Sequence, residues 1–182
     1  MKSHAFTVTG FLVAAVLASS AGAAERQTLL IERATNPDAK VIGEFLFPEA
    51  QCENTKFQCM AVRPSAERSV GVEVRFPTNS AELTPAARAQ LDPLGKVLAS
   101  RNGRLGPGEI VIEGHADARG SAELNKRLSE QRARSVVQHL VTAHKVDAAA
   151  LKPLGRGAEN LKEGSRPDSE VNRRVELVRK SN

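Results

Sequence analysis

Residues 109–144, EIVIEGHADARGSAELNKRLSEQRARSVVQHLVTAH, hold the pattern from which the rest of the chain can be placed. Ile110, Val111 and Ile112 form the core of a buried strand over Glu109 to Glu113, and Gly114 is expected to end it. From about Ser121 to His144 the period changes to that of a helix, with Leu128, Ala133, Val136, Val137, Leu140 and Val141 gathered on one face. Between strand and helix the chain carries His115, Ala116 and Asp117, all of them on or next to a turn.

The flanking sequence repeats the alternation. Upstream, Val70, Val72, Val74 and Phe76 alternate with Gly71, Glu73 and Arg75, the period-2 pattern of a half-buried strand. Thr84 followed by Pro85 starts a helix, with a hydroxyl to cap and a proline preorganised for the first turn. Its apolar face is Ala87, Leu91, Leu94 and Leu98; Pro93 is expected to kink or divide it, and residues 102–108 to end it. Downstream, Leu151 to Gly155 reads as a short strand and Glu163 to Ser169 as a polar loop. Val171 to Arg179 closes the chain as a strand with Val175 and Leu177 toward the core. Strand, helix, strand, helix, strand, strand makes an α/β sandwich, with helices packed on a mixed β-sheet. Residues 25–68 are less regular. Thr28 to Ile31 and Val41 to Phe47 are read there as two short strands, followed by a loop containing Cys52 and Cys59.

The chain has 182 residues, enough for one compact domain of ordinary size. Lys2 and His4, the apolar run Phe11 to Ala18 and the small residues Ser19 to Ala24 read as a secretory signal over residues 1–24, cleaved after Ala23 or Ala24. The run is well short of the roughly 20 apolar residues that span a bilayer. No cysteine adjoins the small residues, so lipid attachment there is not expected, and the exported protein is placed in the periplasm. In that oxidising compartment Cys52 and Cys59 are expected to form a disulfide. A zinc site on the pair would need further ligands, and no histidine lies near them in sequence. No cofactor is implied. The formal net charge is +5 and the pI about 9.6, which suits an anionic partner. Export argues against nucleic acid and for peptidoglycan, whose stem peptides carry free carboxylates. Six Phe and no Trp or Tyr leave few stacking platforms for sugar rings or bases.

On a helical wheel Asn125, Ser129 and Arg132 form one polar stripe beside the apolar face of the long helix, which sets Arg132 near the core. An arginine there needs a carboxylate, either from its own protein or from a ligand in the cleft between strand end and helix start. Spacing alone leaves both open. The stretch Gly114-His115-Ala116-Asp117, then Gly120-Ser121, Asn125, Leu128-Ser129, Arg132-Ala133 and finally Asn172-Arg173-Arg174-Val175-Glu176 resembles the OmpA-like C-terminal domain, over about residues 70–179. That family includes peptidoglycan-associated lipoproteins and flagellar stator anchors. The resemblance implies a domain over residues 69–182 that binds the diaminopimelate residue of the stem peptide. It places Asp117 against the ligand ammonium and Arg132 against its carboxylate, with Asn125 and the backbone around Ala116 and Thr78 in support.

Two positions depart from the family pattern: Ala116 stands where Thr is common, and Pro77 where Asp often follows the first strand. Asn172, Arg173 and Arg174 read chiefly as structural, and His115 as a hydrogen-bonded loop histidine, since no third ligand or nucleophile is arranged around it. A peptidoglycan hydrolase acting through His115 and Asp117 is the competing reading; it lacks a Gly-x-Ser-x-Gly or His-Glu-x-x-His pattern. An adaptor, whose residues 25–68 bind another envelope protein and so link wall to outer membrane, is compatible with wall binding.

Overall fold

The computed structural model describes residues 26–31, 38–48, 67–72, 74, 76–77 and 79–180. The expected signal segment, the Cys52 and Cys59 pair and Thr78 lie outside them. In chain order the elements are β1 (Gln27–Ile31), α1 (Ala39–Leu46), β2 (Arg68–Val72), α2 (Pro85–Ala99), β3 (Ile110–His115), α3 (Ala122–His144), β4 (Leu151–Gly157) and β5 (Val175–Arg179). The strands form one mixed sheet in the order β1-β2-β5-β3-β4. β1 with β2 and β3 with β4 are parallel; β5 is antiparallel to both of its neighbours. This is the expected α/β architecture of helices on a mixed sheet.

Alternation along each strand separates two faces. Ile110 and Ile112 of β3, Val70 and Val72 of β2, and Val175 and Leu177 of β5 join Leu91, Leu94, Leu98, Ala133, Val136 and Leu140 of the helices in one apolar core. Each of the valine, leucine and isoleucine side chains contributes about 1.5–3 kcal/mol by leaving water. The opposite parity places Glu113 and His115 of β3 and Glu176 of β5 on the other face, where Arg26, Arg156 and Arg174 meet the carboxylates at 2.5–3.0 Å. Glu113 is wholly buried. Burial acts to raise its pKa, but hydrogen bonds and charge from Arg156 and Arg26 outweigh it and hold the carboxyl below the ordinary range.

Several elements differ from the sequence reading. Val41 to Phe47 is not a strand: Asp38 caps α1 through the Lys40 amide, and Ile42 and Leu46, one turn apart, are both buried. The strand begun at Arg68 stops at Val72, although Val74 remains buried, and Ser69 and Gly71 are covered as well, so the strand is buried on both faces. α2 runs undivided through Pro93. Gly114 does not end β3 but lies inside it, because a Cβ there would overlap the Ser129 carbonyl oxygen of α3. Gly155 of β4 has the same function, with the Lys126 carbonyl 2.6 Å from where its Cβ would stand. The long helix thus crosses the sheet over two glycines. Glu170 to Asn172 forms a 3-10 turn, and the last strand starts only at Val175.

Candidate functional site

Asp117, Asn125 and Arg132 converge at the end of β3 beside the first turns of α3. Ser121 caps α3 through the Leu124 amide, so the helix starts five residues beyond Asp117, at Ala122. Asn125, in the second turn, returns its side-chain amide to the Asp117 carbonyl at 3.0 Å and the Arg119 carbonyl at 2.8 Å. Those two bonds clamp the connecting loop to the helix. The Asp117 carboxylate is oriented from two directions: Oδ1 accepts from the Arg119 amide at 3.1 Å, and Oδ2 from Arg173 Nη1 at 2.8 Å. A carboxylate offers about four lone-pair sites, so two remain.

Arg132 is 5% exposed. Its Nε donates to the Ser80 carbonyl at 3.2 Å, and its guanidinium lies over the Phe76 ring, 4.9 Å from the centroid. Among the described residues no carboxylate forms an ion pair with it. Burial, and then the charge of Arg173, push its pKa below the ordinary arginine value, with Asp117 acting weakly the other way. Arg132 is therefore a fixed cation, held by a carbonyl and a ring, with no ion-pair partner among the described residues.

These groups line a cavity of about 370 Å³ together with Phe76, Asn79, Ala116, Arg119, Leu128, Glu170 and Arg173. The lining sets three guanidinium groups against two carboxylates, a surplus of one positive charge. Ala116 contributes less backbone than its position suggests, since its N–H is committed to the Gly157 carbonyl at 2.8 Å. Asn79, next in sequence to Thr78, takes a left-handed turn (φ 53) at the rim.

The Asn172, Arg173 and Arg174 cluster divides in two. Asn172 is buried and ties the loop before β5, accepting from the Glu163 amide and donating to the Arg166 and Pro167 carbonyls. Arg174 pairs with Glu176 at 2.6 Å on the far face of the sheet. Arg173 alone reaches the cavity, bonded to Asp117 and to Glu170 at 3.1 Å. Sequence reasoning gave it only a minor place in the site, because nothing in the order of the residues shows that the 3-10 turn delivers it to Asp117. His115 is not a hydrogen-bonded loop histidine. It belongs to β3, is 2% exposed, and neither ring nitrogen has a hydrogen-bond partner. Burial, followed by the charge of Arg174, lowers its pKa to about 4, so it is neutral and faces away from the cavity.

The sequence profile of the OmpA family matches residues 75–174, from the approach to the cavity through Arg174. The chain belongs to the OmpA family. Over 106 residues, 58% of this chain, it is 35% identical to outer membrane protein A of Shimwellia blattae and 34% identical to that of Escherichia coli O157:H7. The matched region spans 42% and 30% of those relatives, so this chain corresponds to less than half of either. Among solved structures, the OmpA-like domain of FopA1 from Francisella tularensis aligns over 58% of this chain and 68% of its own, with TM-score 0.50 and 19% identity. A MotB-like protein from Desulfovibrio vulgaris aligns over 65% and 75%, with TM-score 0.52 and 25% identity. The OmpA-like fold is thereby shared. No helix among the described residues is long and apolar enough to cross a membrane.

Proposed function

We propose that this OmpA-family protein binds peptidoglycan non-covalently, by holding the free end of the diaminopimelate residue between Asp117 and Arg132. One observation carries the reading: Arg132 is a buried cation with no ion-paired carboxylate among the described residues, and it lines the same cavity as the Asp117 carboxylate. The free end of diaminopimelate is an amino acid centre, with an ammonium and a carboxylate on one carbon. The carboxylate suits the planar fork of Arg132, and the ammonium suits Asp117. Arg173 keeps the Asp117 carboxylate in place while leaving room for a second donor. The described lining offers charge and amide groups but no serine, cysteine or histidine for nucleophilic work, which supports binding rather than hydrolysis. In this reading the protein acts in the periplasm, at the wall-facing side of the outer membrane, and an envelope protein partner would complete any link between wall and membrane.

Calorimetric titration with a diaminopimelate-containing stem peptide tests the proposal, with the lysine-containing peptide as control. Lysine lacks the second carboxylate, so it should bind at least tenfold more weakly. Equal affinity for both peptides would refute it.

A further inference from the structure

A second cluster of polar side chains lies farther along α3, one the wall-binding site does not use. Asp92 of α2 and His139 and His144 of α3 each bring one donor atom within 4.8 Å of the other two. His144 Nε2 is 3.0 Å from Asp92 Oδ1, and His139 Nε2 is 3.8 Å from the same oxygen. The two rings stand edge to face, with centroids 5.5 Å apart. His139 is 12% exposed, and its Nε2 is buried with no hydrogen-bond partner. Leaving such a nitrogen unsatisfied is costly, so it calls for a partner. Gly95, one turn beyond Asp92, leaves room for His144: a Cβ at that position would overlap the imidazole ring. A glycine in the middle of a helix is otherwise unfavourable, and here it seats the third donor.

We infer that Asp92, His139 and His144 form a binding site for a divalent ion of the zinc class, with the fourth position open to water. Two imidazoles and one carboxylate are a zinc-type donor set, whereas magnesium and calcium call for oxygen ligands throughout. Tetrahedral ligands at zinc distances stand about 3.3 Å apart, and the separations of 3.0 and 3.8 Å bracket that value. A second trio, Glu113, His115 and Glu176, has comparable spacing. Its carboxylates are already taken by Arg26, Arg156 and Arg174, so a further cation is excluded there. The sequence alone did not suggest the first trio, since Asp92 is 52 residues from His144. His139 lies seven residues beyond Arg132 on α3, about 10 Å along the helix, so the two sites are separate.

The test is a titration of the chelator-treated full chain with zinc chloride, and with magnesium chloride as control, followed by calorimetry and by imidazole nitrogen resonances. One zinc per chain is expected, with no magnesium bound, and with shifts at His139 and His144 but not at His115. Asp92→Asn and His139→Gln should each weaken zinc binding tenfold or more. Asp92 is half exposed and the glutamine keeps a polar group of similar size, so both variants should remain folded, as circular dichroism would verify. Their affinity for the stem peptide should be unchanged. No zinc bound by the parent, or zinc bound equally well by both folded variants, overturns the site.

Discussion

Arg132 is the residue on which the wall-binding reading depends. With no ion-paired carboxylate among the described residues, it is proposed to take its anion from the ligand, so Arg132→Ala is expected to cost about 2 kcal/mol or more of binding, roughly thirtyfold, while the thermal melt moves little. Arg132→Lys should recover only part, because an ammonium cannot reproduce the planar fork. Asp117→Asn should also weaken binding by removing the charge that meets the ligand ammonium. Its stability cost should be small, since Arg173 keeps Glu170 as a second partner. Calorimetry paired with a melt of each variant checks all three; tight binding by a folded Arg132→Ala protein would remove the site. His115 makes a prediction of another kind. Its folded pKa of about 4 lies below its ordinary value of 6.5, so the unfolded chain takes up the proton first as pH falls. Stability should therefore decline from about pH 6.5 to about pH 4 through His115, by roughly 3 kcal/mol at most, with Glu113 and Glu67, lowered from an ordinary value of 4.5, adding to the loss from about pH 4.5 downward. Urea midpoints across that range check it, and a His115→Leu variant should flatten the decline.

At the scale of the element, α3 sets the site, and the glycines beneath it set α3. Gly114 and Gly155 let the helix backbone lie directly on β3 and β4, which holds Asn125 and Arg132 at the end of β3. Gly114→Ala is expected to lift the helix and destabilise the fold by about 1–3 kcal/mol, with weaker peptide binding as a second consequence. Gly164, with nothing within 4 Å of a Cβ, supplies the comparison: Gly164→Ala should be neutral or slightly stabilising, through the unfolded chain. Equal denaturant midpoints for the two variants would argue against this account of the helix seating. The same glycine illustrates a limit of local pattern. In sequence Gly114 looks like a strand terminator, and only the approach of a helix from elsewhere in the chain shows it to be a contact point.

For the whole molecule, β1 and α1 belong to the core. Ile31, Ile42, Leu46 and Phe47 are buried in it, and the Leu46 and Phe45 carbonyls accept from Arg179 and Arg68. A chain shortened to begin at residue 69 should keep the cavity, whose described lining runs from Phe76 to Arg173. It should also unfold at lower denaturant and self-associate, because the edge of β2 loses its parallel partner. Sedimentation with sacculi, light scattering and a denaturation curve measure the three effects; a shortened protein as stable and monomeric as the parent would show that β1 and α1 contribute nothing. By itself the sequence determined the helix from about Ser121 to His144, the strands flanking it, the layered α/β plan, and the polar stripe of Asn125 and Arg132, because these rest on periodicities within one or two adjacent elements; the pairing of Asp117 with Arg132 in one site was implied by the family resemblance, since spacing alone left an internal partner for Arg132 open. The sequence misread α1 as a strand, since Val41 to Phe47 is too short an apolar run for its period to decide, and it could not place Arg173, His115 or the Asp92 cluster. Those depend on which strand neighbours which and on which side of the sheet each residue falls. Such facts belong to pairings between residues tens of positions apart, and only the tertiary structure decides them.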